Sequence, residues 1–254
     1  MNDSDANGIQ AVDRAFDIVE SLNELGGAGV SELARDVGLP KSTVHNHLTT
    51  LERAEYVVHQ GDEYRVSLKF LSVSETARSQ HRLYEVARSE VDQLAEQTGE
   101  ISAVMAEEHG RGVFIYRSRG SDAARIDTCI GDRVPIHCTA LGKAILAFLP
   151  EARRTEIIDR RGLPAVNSNT ITDRDRLLAE LEEIREHKIA TDDEERLNGL
   201  RSVAAPVLDG SGSVIGSISV AGPTHRMQGE RFETELPETV LGVANVIELN
   251  IQYM

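Results

Sequence analysis

The sequence predicts a two-domain α+β chain: a small helical domain closed by a hairpin, then a larger domain of antiparallel strands and helices. Three observations carry this reading. Apolar residues recur at helical spacing over residues 8–51 and are interrupted by Gly26-Gly27 and by Gly38-Leu39-Pro40. After residue 100, short apolar runs repeatedly flank glycine-containing turns, as hairpin strands do. Between them the pattern stays helical and holds no proline- or glycine-rich tether. The expected boundaries are 1–75, a helical connection over 76–99, and 100–254.

Taken in order, Ile9, Val12, Phe16, Val19 and Leu22 step by three and four, which predicts a helix over 8–26 with that stripe facing a core. Residues 30–51, VSELARDVGLPKSTVHNHLTTL, read as two short helices. Ser31 and Ser42 are candidate caps, Gly38 suits the left-handed residue that ends a helix, and Pro40 blocks continuation. In the second helix Val44, Leu48 and Leu51 share one face. Ser42, Asn46, Thr49 and Arg53 share the other, with Thr43 and His45 on its flanks. A short helix with a buried apolar stripe and small or amide-bearing polar groups outside fits a helix that reads the major groove. Residues 56–66, YVVHQGDEYRV, form two strands about Gly61-Asp62. Helix, helix-turn-helix and hairpin in that order make a winged helix, with Gln60 and Arg65 on the wing.

Further along, residues 67–99 predict helices carrying Leu68, Leu71 and Val73, then Leu83, Val86, Val91, Leu94 and Ala95. That spacing suits either a linker with a dimer surface or packing inside a domain. Strands are expected at 102–107 and 112–117, at 126–130 and 133–136, at 189–191, and at 203–208 and 214–221. Helices are expected at 139–149, which is nearly all apolar, at 177–187 and at 229–252. Hairpins with helices between them argue for an antiparallel sheet.

Composition sets bounds on function. The 254 residues include no continuous 18-residue apolar run, so no membrane-spanning helix is expected. The polar N-terminus MNDSDANGIQ is unlike a secretory signal, and two cysteines are too few for a disulfide framework, so a reduced cytoplasm is the expected compartment. The net charge is −15 and only four of the 27 basic residues are lysine. Residues 1–75 alone carry 13 acidic and six basic side chains, a net of −7. In dilute salt such a domain is ill-equipped to neutralise phosphates. At molar salt the screening length shrinks to about 3 Å and the repulsion fades. The acidic, lysine-poor surface therefore points to a halophilic, haloarchaeal source, with an ordinary acidic protein as the alternative.

At residues 39–51, LPKSTVHNHLTTL, with VSELARDVG before them, the chain resembles the N-terminal domain of the IclR family of transcription regulators. Three later runs strengthen the likeness: VPIHCTALGKAILAFL (134–149), DDEERLNGLRS (192–202) and VAAPVLDGSGSVIGSISVAGP (203–223). The resemblance covers nearly the whole chain and implies a GAF-like domain that binds a small organic acid or aromatic effector. It implies DNA contacts from Lys41, Ser42, Thr43, His45, Asn46, His47, Thr49 and Arg65. The family commonly has arginine where this chain has Asn46. Asparagine suits bidentate contact with adenine, whereas arginine favours guanine or phosphate. Lys41 is the expected phosphate anchor, and His47 sits near the apolar stripe.

For the effector, the resemblance implies a pocket from Met105, Val134, His137, Cys138, Thr139, Ala140, Leu141, Gly142, Asp192, Ser202 and Ser219. The first turn of the 139–149 helix offers N–H groups to a carboxylate. Ser202 occupies a position that is often cysteine in relatives, and Ala221 one that is often serine. Double-stranded DNA with a pseudo-palindromic operator, an effector, and a second or fourth copy of the chain are the implied partners.

Rival chemistry is thin. His137, Cys138, Cys129 and Asp192 are suitable metal-ligand types but lack ligand spacing, so no metal or cofactor is expected. A redox pair of Cys129 and Cys138 competes with their being small core residues. Gly142-Lys143 lacks the first glycine and the final hydroxyl of a phosphate loop, and Lys143 is expected to meet a carboxylate. No nucleophile–base arrangement appears, so no catalytic residue is assigned. The competing function is an effector-binding or protein-interaction module that does not bind DNA specifically.

Overall fold

The computed structural model describes residues 8–126 and 128–253. It divides into two compact units between Gln80 and His81. The first contains helices α1 (Gln10–Leu25), α2 (Val30–Asp36) and α3 (Lys41–Arg53), strands β1 (Val57–Gln60) and β2 (Glu63–Val66), and helix α4 (Lys69–Ser79). Ile18 and Leu22 of α1, Leu33 of α2, Val44 and Leu48 of α3, and Val57 and Tyr64 of the hairpin form its core. Full burial of such side chains is worth roughly 1.5–3 kcal/mol each.

The structure corrects α1. Of the expected stripe, Leu22 is buried, but Ile9, Val12 and Phe16 are 71%, 47% and 60% exposed. Helix α1 has two apolar edges, and the edge ending in Ile18 and Leu22 faces this core. Ser21 turns inward as well, donating from Oγ to Asp36 Oδ2 at 2.6 Å and tying α1 to the end of α2. The expected caps shift too. Gly29 and Pro40 are the N-caps, so Ser31 and Ser42 stand inside their helices. The ring of Pro40 fixes φ at −59°, which sets the entry of α3 without a side-chain cap. Gly38 does take the left-handed conformation (φ +66°) that ends the turn after α2.

In the wing, β1 pairs antiparallel with β2 about Gly61-Asp62, and Ala28 bridges to Tyr64 as a further short pairing. The rings of His59 and Tyr64 stack at 4.2 Å across the hairpin. Helix α4 buries none of its residues within this unit.

The second unit is a six-stranded antiparallel sheet between two helical layers. Its strands are β3 (Ile101–Glu108), β4 (Arg111–Arg119), β5 (Arg133–Pro135), β6 (Ala190–Asp193), β7 (Leu200–Leu208) and β8 (Val214–Pro223), in the order β5-β4-β3-β8-β7-β6. One face is covered by α5 (Arg82–Thr98) and α9 (Leu236–Gln252), with Val91, Leu94, Val240 and Ile247 against Val104, Val203, Val220 and Ile218. The other carries α6 (Ala140–Phe148), α7 (Glu151–Arg161) and α8 (Arg174–His187), joined through Leu146, Ile157 and Leu177.

Residues 76–99 are therefore not a free-standing linker. Leu83, Val86, Val91 and Leu94 of α5 belong to the sheet core, because an amphipathic helix beside a sheet buries its stripe there. Of the strand expected at 126–130, residues 126 and 128–130 form none, and Asp127 lies outside the described residues. Their backbone is held instead by a side chain, Arg117, which donates to the carbonyls of Ile126 and Thr128. Helix α7 was not anticipated, since its EARRTEIIDRR run hides two isoleucines among charges. The final helix opens with a wide turn over Arg231–Glu235 before α9 begins.

Candidate functional site

Two sites take shape, one in each unit. In the first, burial of Val44 and Leu48 rolls α3 so that Lys41, Ser42, His45, Asn46 and Thr49 are exposed, with Thr43 and His47 half-buried at the edges. Thr49 Oγ1 donates back to the His45 carbonyl and Thr50 Oγ1 to the Asn46 carbonyl, each at 2.9 Å. Among the described residues the Lys41 ammonium and the Asn46 amide have no intramolecular partner, which leaves both available to a ligand on this face. Arg65 on the wing lies across Gly27 and meets Glu63 at 3.1 Å, both half-exposed. An exposed pair of this kind is worth little.

In the second unit a cleft opens between the N-terminus of α6 and the sheet. Sheet register builds its floor. Asp192, Ser202, Ala221 and Ile101 are successive cross-strand partners on β6, β7, β8 and β3. Ser219, Ala103 and Arg117 form the adjacent row on β8, β3 and β4. Thr139, Leu141, Phe114, Thr128 and Arg196 complete the lining with Ile126 and Leu200.

Thr139 caps α6, its Oγ1 accepting from the Gly142 N–H at 2.9 Å. The Ala140 and Leu141 N–H groups, earlier in the first turn, have no helical acceptor. Gly142 is required for packing: a Cβ there would lie 1.8 Å from the Ile136 carbonyl oxygen. Asp192 is 4% exposed and its Oδ1 accepts from the Glu195 N–H at 2.8 Å. Burial pushes its carboxyl up to about 7, with nearby Glu195 adding to the shift.

The expected pocket residues thus separate. Thr139, Leu141, Asp192, Ser202 and Ser219 come together in the cleft. Met105, Val134, His137, Cys138, Ala140 and Gly142 do not line it. Met105 is fully buried and packs against Gly112, and Val134 pairs with Gly112 in the sheet. Ala140 is fully buried on α6. His137 Nε2 meets the Pro164 carbonyl at 3.2 Å in a separate cleft beside α7, where burial lowers its pKa. The Cys138 thiol donates to Pro135 O and is pushed up to about 12 by burial, while Cys129 is exposed and both cysteines are free. Lys143 is buried against Glu180 and Glu195. Burial alone would lower its pKa, but the two carboxylates outweigh this and keep it charged. Among the described residues no group of three or more His, Cys, Asp or Glu is placed to hold a metal.

Sequence reasoning missed Phe114, Arg117, Thr128 and Arg196. The register of β3 against β4 shifts between Val104 and Met105, which leaves Ile115 as an extra residue on β4. That bulge brings Phe114 and Arg117, three apart, to the same cleft, where simple alternation would separate them. Arg196 directly follows four acidic residues, Asp192–Glu195, a context that hides it as a cleft residue. Its guanidinium instead lies 5.4 Å from the Phe114 ring centroid.

The family model "IclR helix-turn-helix domain" matches residues 11–61, and "Bacterial transcriptional regulator IclR C-terminal" matches residues 75–249. The chain belongs to the IclR family. A relative from Halobacterium salinarum, "Probable HTH-type transcriptional regulator ArcR", is 33% identical over 99% of this chain and 97% of its own length. The IclR of Thermotoga maritima has a similar crystal structure, with a TM-score of 0.80 at 25% identity over 97% of this chain and all of that one. An IclR homologue from Microbacterium hydrocarbonoxydans, crystallised with 4-hydroxybenzoate, shares the fold at a TM-score of 0.83 and 20% identity, covering 96% and 100% of the two chains. As an IclR-family member this chain is a DNA-binding transcription regulator with an effector-binding C-terminal domain, and the family is not enzymatic. Among the described residues no helix is long and apolar enough to cross a membrane.

Proposed function

We propose that this regulator reads a pseudo-palindromic operator with α3 of two or four copies, and that a small organic acid bound in the α6 cleft controls it. The observation that carries the DNA reading is the solvent-facing side of α3, where Asn46 and Lys41 stand without side-chain partners among the described residues, beside Ser42, His45 and Thr49. Asn46 reads a base, for which its amide is suited to adenine, and Lys41 anchors a phosphate.

Exposed Ile9, Val12 and Phe16 on α1, with exposed Leu68, Leu71 and Val73 at α4, support self-association of the first unit. A helix-turn-helix protein pairs two reading helices with two half-sites. The 4-hydroxybenzoate complex of the Microbacterium homologue supports a carboxylate ligand here. The effector acts by binding one of two arrangements better, and it shifts them only by that difference. No cofactor enters this mechanism. The acidic, lysine-poor composition supports work in a salt-rich cytoplasm.

Binding to DNA flanking the protein's own coding region, measured across about 0.2 to 3 M KCl, tests the reading. Specific binding that persists at high salt and is lost in Asn46→Ala is expected. If neither those fragments nor a genome-wide fragment selection yields a specific target at any salt, the DNA-reading role is wrong.

A further inference from the structure

The α6 cleft contains more positive charge than a single carboxylate needs. Arg117 and Arg196 enter from different elements and converge on one residue: Arg117 Nη1 donates to the Thr128 carbonyl, and Arg196 Nη2 to Thr128 Oγ1 at 3.1 Å. Neither guanidinium forms an ion pair among the described residues. Arg117 Nη2 is buried and has no hydrogen-bond acceptor among the described residues. Asp192 and Asp132 stand near enough to act on the pair electrostatically but form no ion pair with it among the described residues: Asp192 Oδ1 accepts from the Glu195 N–H, and Asp132 Oδ2 from the Cys129 N–H at 2.7 Å. Two like charges drawn together in a partly buried cleft, with an orphaned donor, call for an anion.

A monocarboxylate at the first turn of α6, near Thr139 and Leu141, would leave the arginine pair uncompensated. One at the arginine pair would leave the helix end and the Ser202 and Ser219 hydroxyls idle. We propose that the effector is a short dicarboxylate, one carboxylate held at the α6 N-terminus and the other by Arg117 and Arg196. Planar carboxylates suit guanidinium forks, and each charge-assisted bond is stronger than its neutral equivalent. This proposal rests on the cleft being the effector site. It adds that Arg117 and Arg196, which lie outside the runs that carry the family resemblance at this cleft or are hidden in its acidic segment, set the ligand's charge.

Calorimetry on the full chain, with succinate, glutarate and adipate against butyrate, pentanoate and 4-hydroxybenzoate, tests it. At least one dicarboxylate should bind about ten- to a hundredfold more tightly than the monocarboxylates. Arg117→Gln and Arg196→Gln should each reduce that preference about tenfold or more while butyrate affinity changes little, and Arg117→Lys should retain part of it. Unfolding midpoints of the unliganded variants report whether they fold. If they do not, the ligand panel on the unaltered chain still decides the matter. Monocarboxylates binding as tightly as dicarboxylates, or Arg117→Gln weakening both alike, would overturn the dicarboxylate and leave the effector site standing. Binding of none of the six would overturn the dicarboxylate, and retention of an unrelated ligand lost on Asp192→Ala would show that the cleft is still the effector site.

Discussion

At the residue scale, Asp192 couples the cleft to pH. Its carboxyl sits at about 7 because burial disfavours the charged form, against the opposing pull of Lys143 and of the backbone N–H bonds, with Glu195 and Cys138 also facing it. Below that pH it is neutral and does not repel an anionic effector; above it a carboxylate confronts a carboxylate. Effector affinity should therefore fall as pH rises through about 7, and Asp192→Asn should flatten the profile. The stability sign agrees. The folded pKa lies above the ordinary aspartate value of 3.8, so this group's contribution is fully present below 3.8 and is lost as pH rises through about 7.

The cysteines differ in the same way. Cys138 is buried with its thiol at about 12, whereas Cys129 is exposed. Native-state alkylation followed by mass spectrometry should label Cys129 and spare Cys138 until the protein unfolds. Labelling of both at equal rates would contradict the burial.

At the scale of elements, α3 separates stability from recognition across its two faces. Leu48 is fully buried, so Leu48→Ala should cost about 2–5 kcal/mol in denaturant unfolding. The Asn46 side chain is exposed and has no partner among the described residues, so Asn46→Ala should change stability by less than about 0.5 kcal/mol while costing about 1–3 kcal/mol of operator affinity. The helix-turn-helix was legible because its two periodic runs and the Gly38-Leu39-Pro40 turn act locally. The start of α6 was legible for the same reason, as an apolar run after Thr139, but not that Thr139 caps it and takes up the Gly142 N–H. The caps of α2 and α3 were each misplaced by two residues, because a serine inside the first turn looks like one at its edge. The arginines of the cleft were not legible. Arg117 reaches it through a one-residue bulge fixed by pairing with β3, and Arg196 by folding back over Phe114 from β4.

At the scale of the whole molecule, charge governs behaviour. A net charge of −15 repels itself and repels DNA in dilute salt. Screening to about 3 Å at 1 M relieves both. The thermal midpoint should therefore rise between about 0.2 and 2 M KCl, as followed by circular dichroism. A midpoint that falls over this range would remove the halophilic argument and leave the fold and family untouched.

The sequence by itself determined the winged helix-turn-helix, the antiparallel plan of the second domain and the family, because helical periodicity, turn glycines and motif runs are local and survive without knowledge of contacts. Only the tertiary structure decided which edge of α1 faces the core, that α5 belongs to the sheet and not to a linker, and which side chains meet in the cleft. Those outcomes depend on register and on competition between apolar faces for one core. A bulge at Ile115 and the close approach of α6 to Ile136 change what a side chain touches without changing the local pattern that the sequence displays.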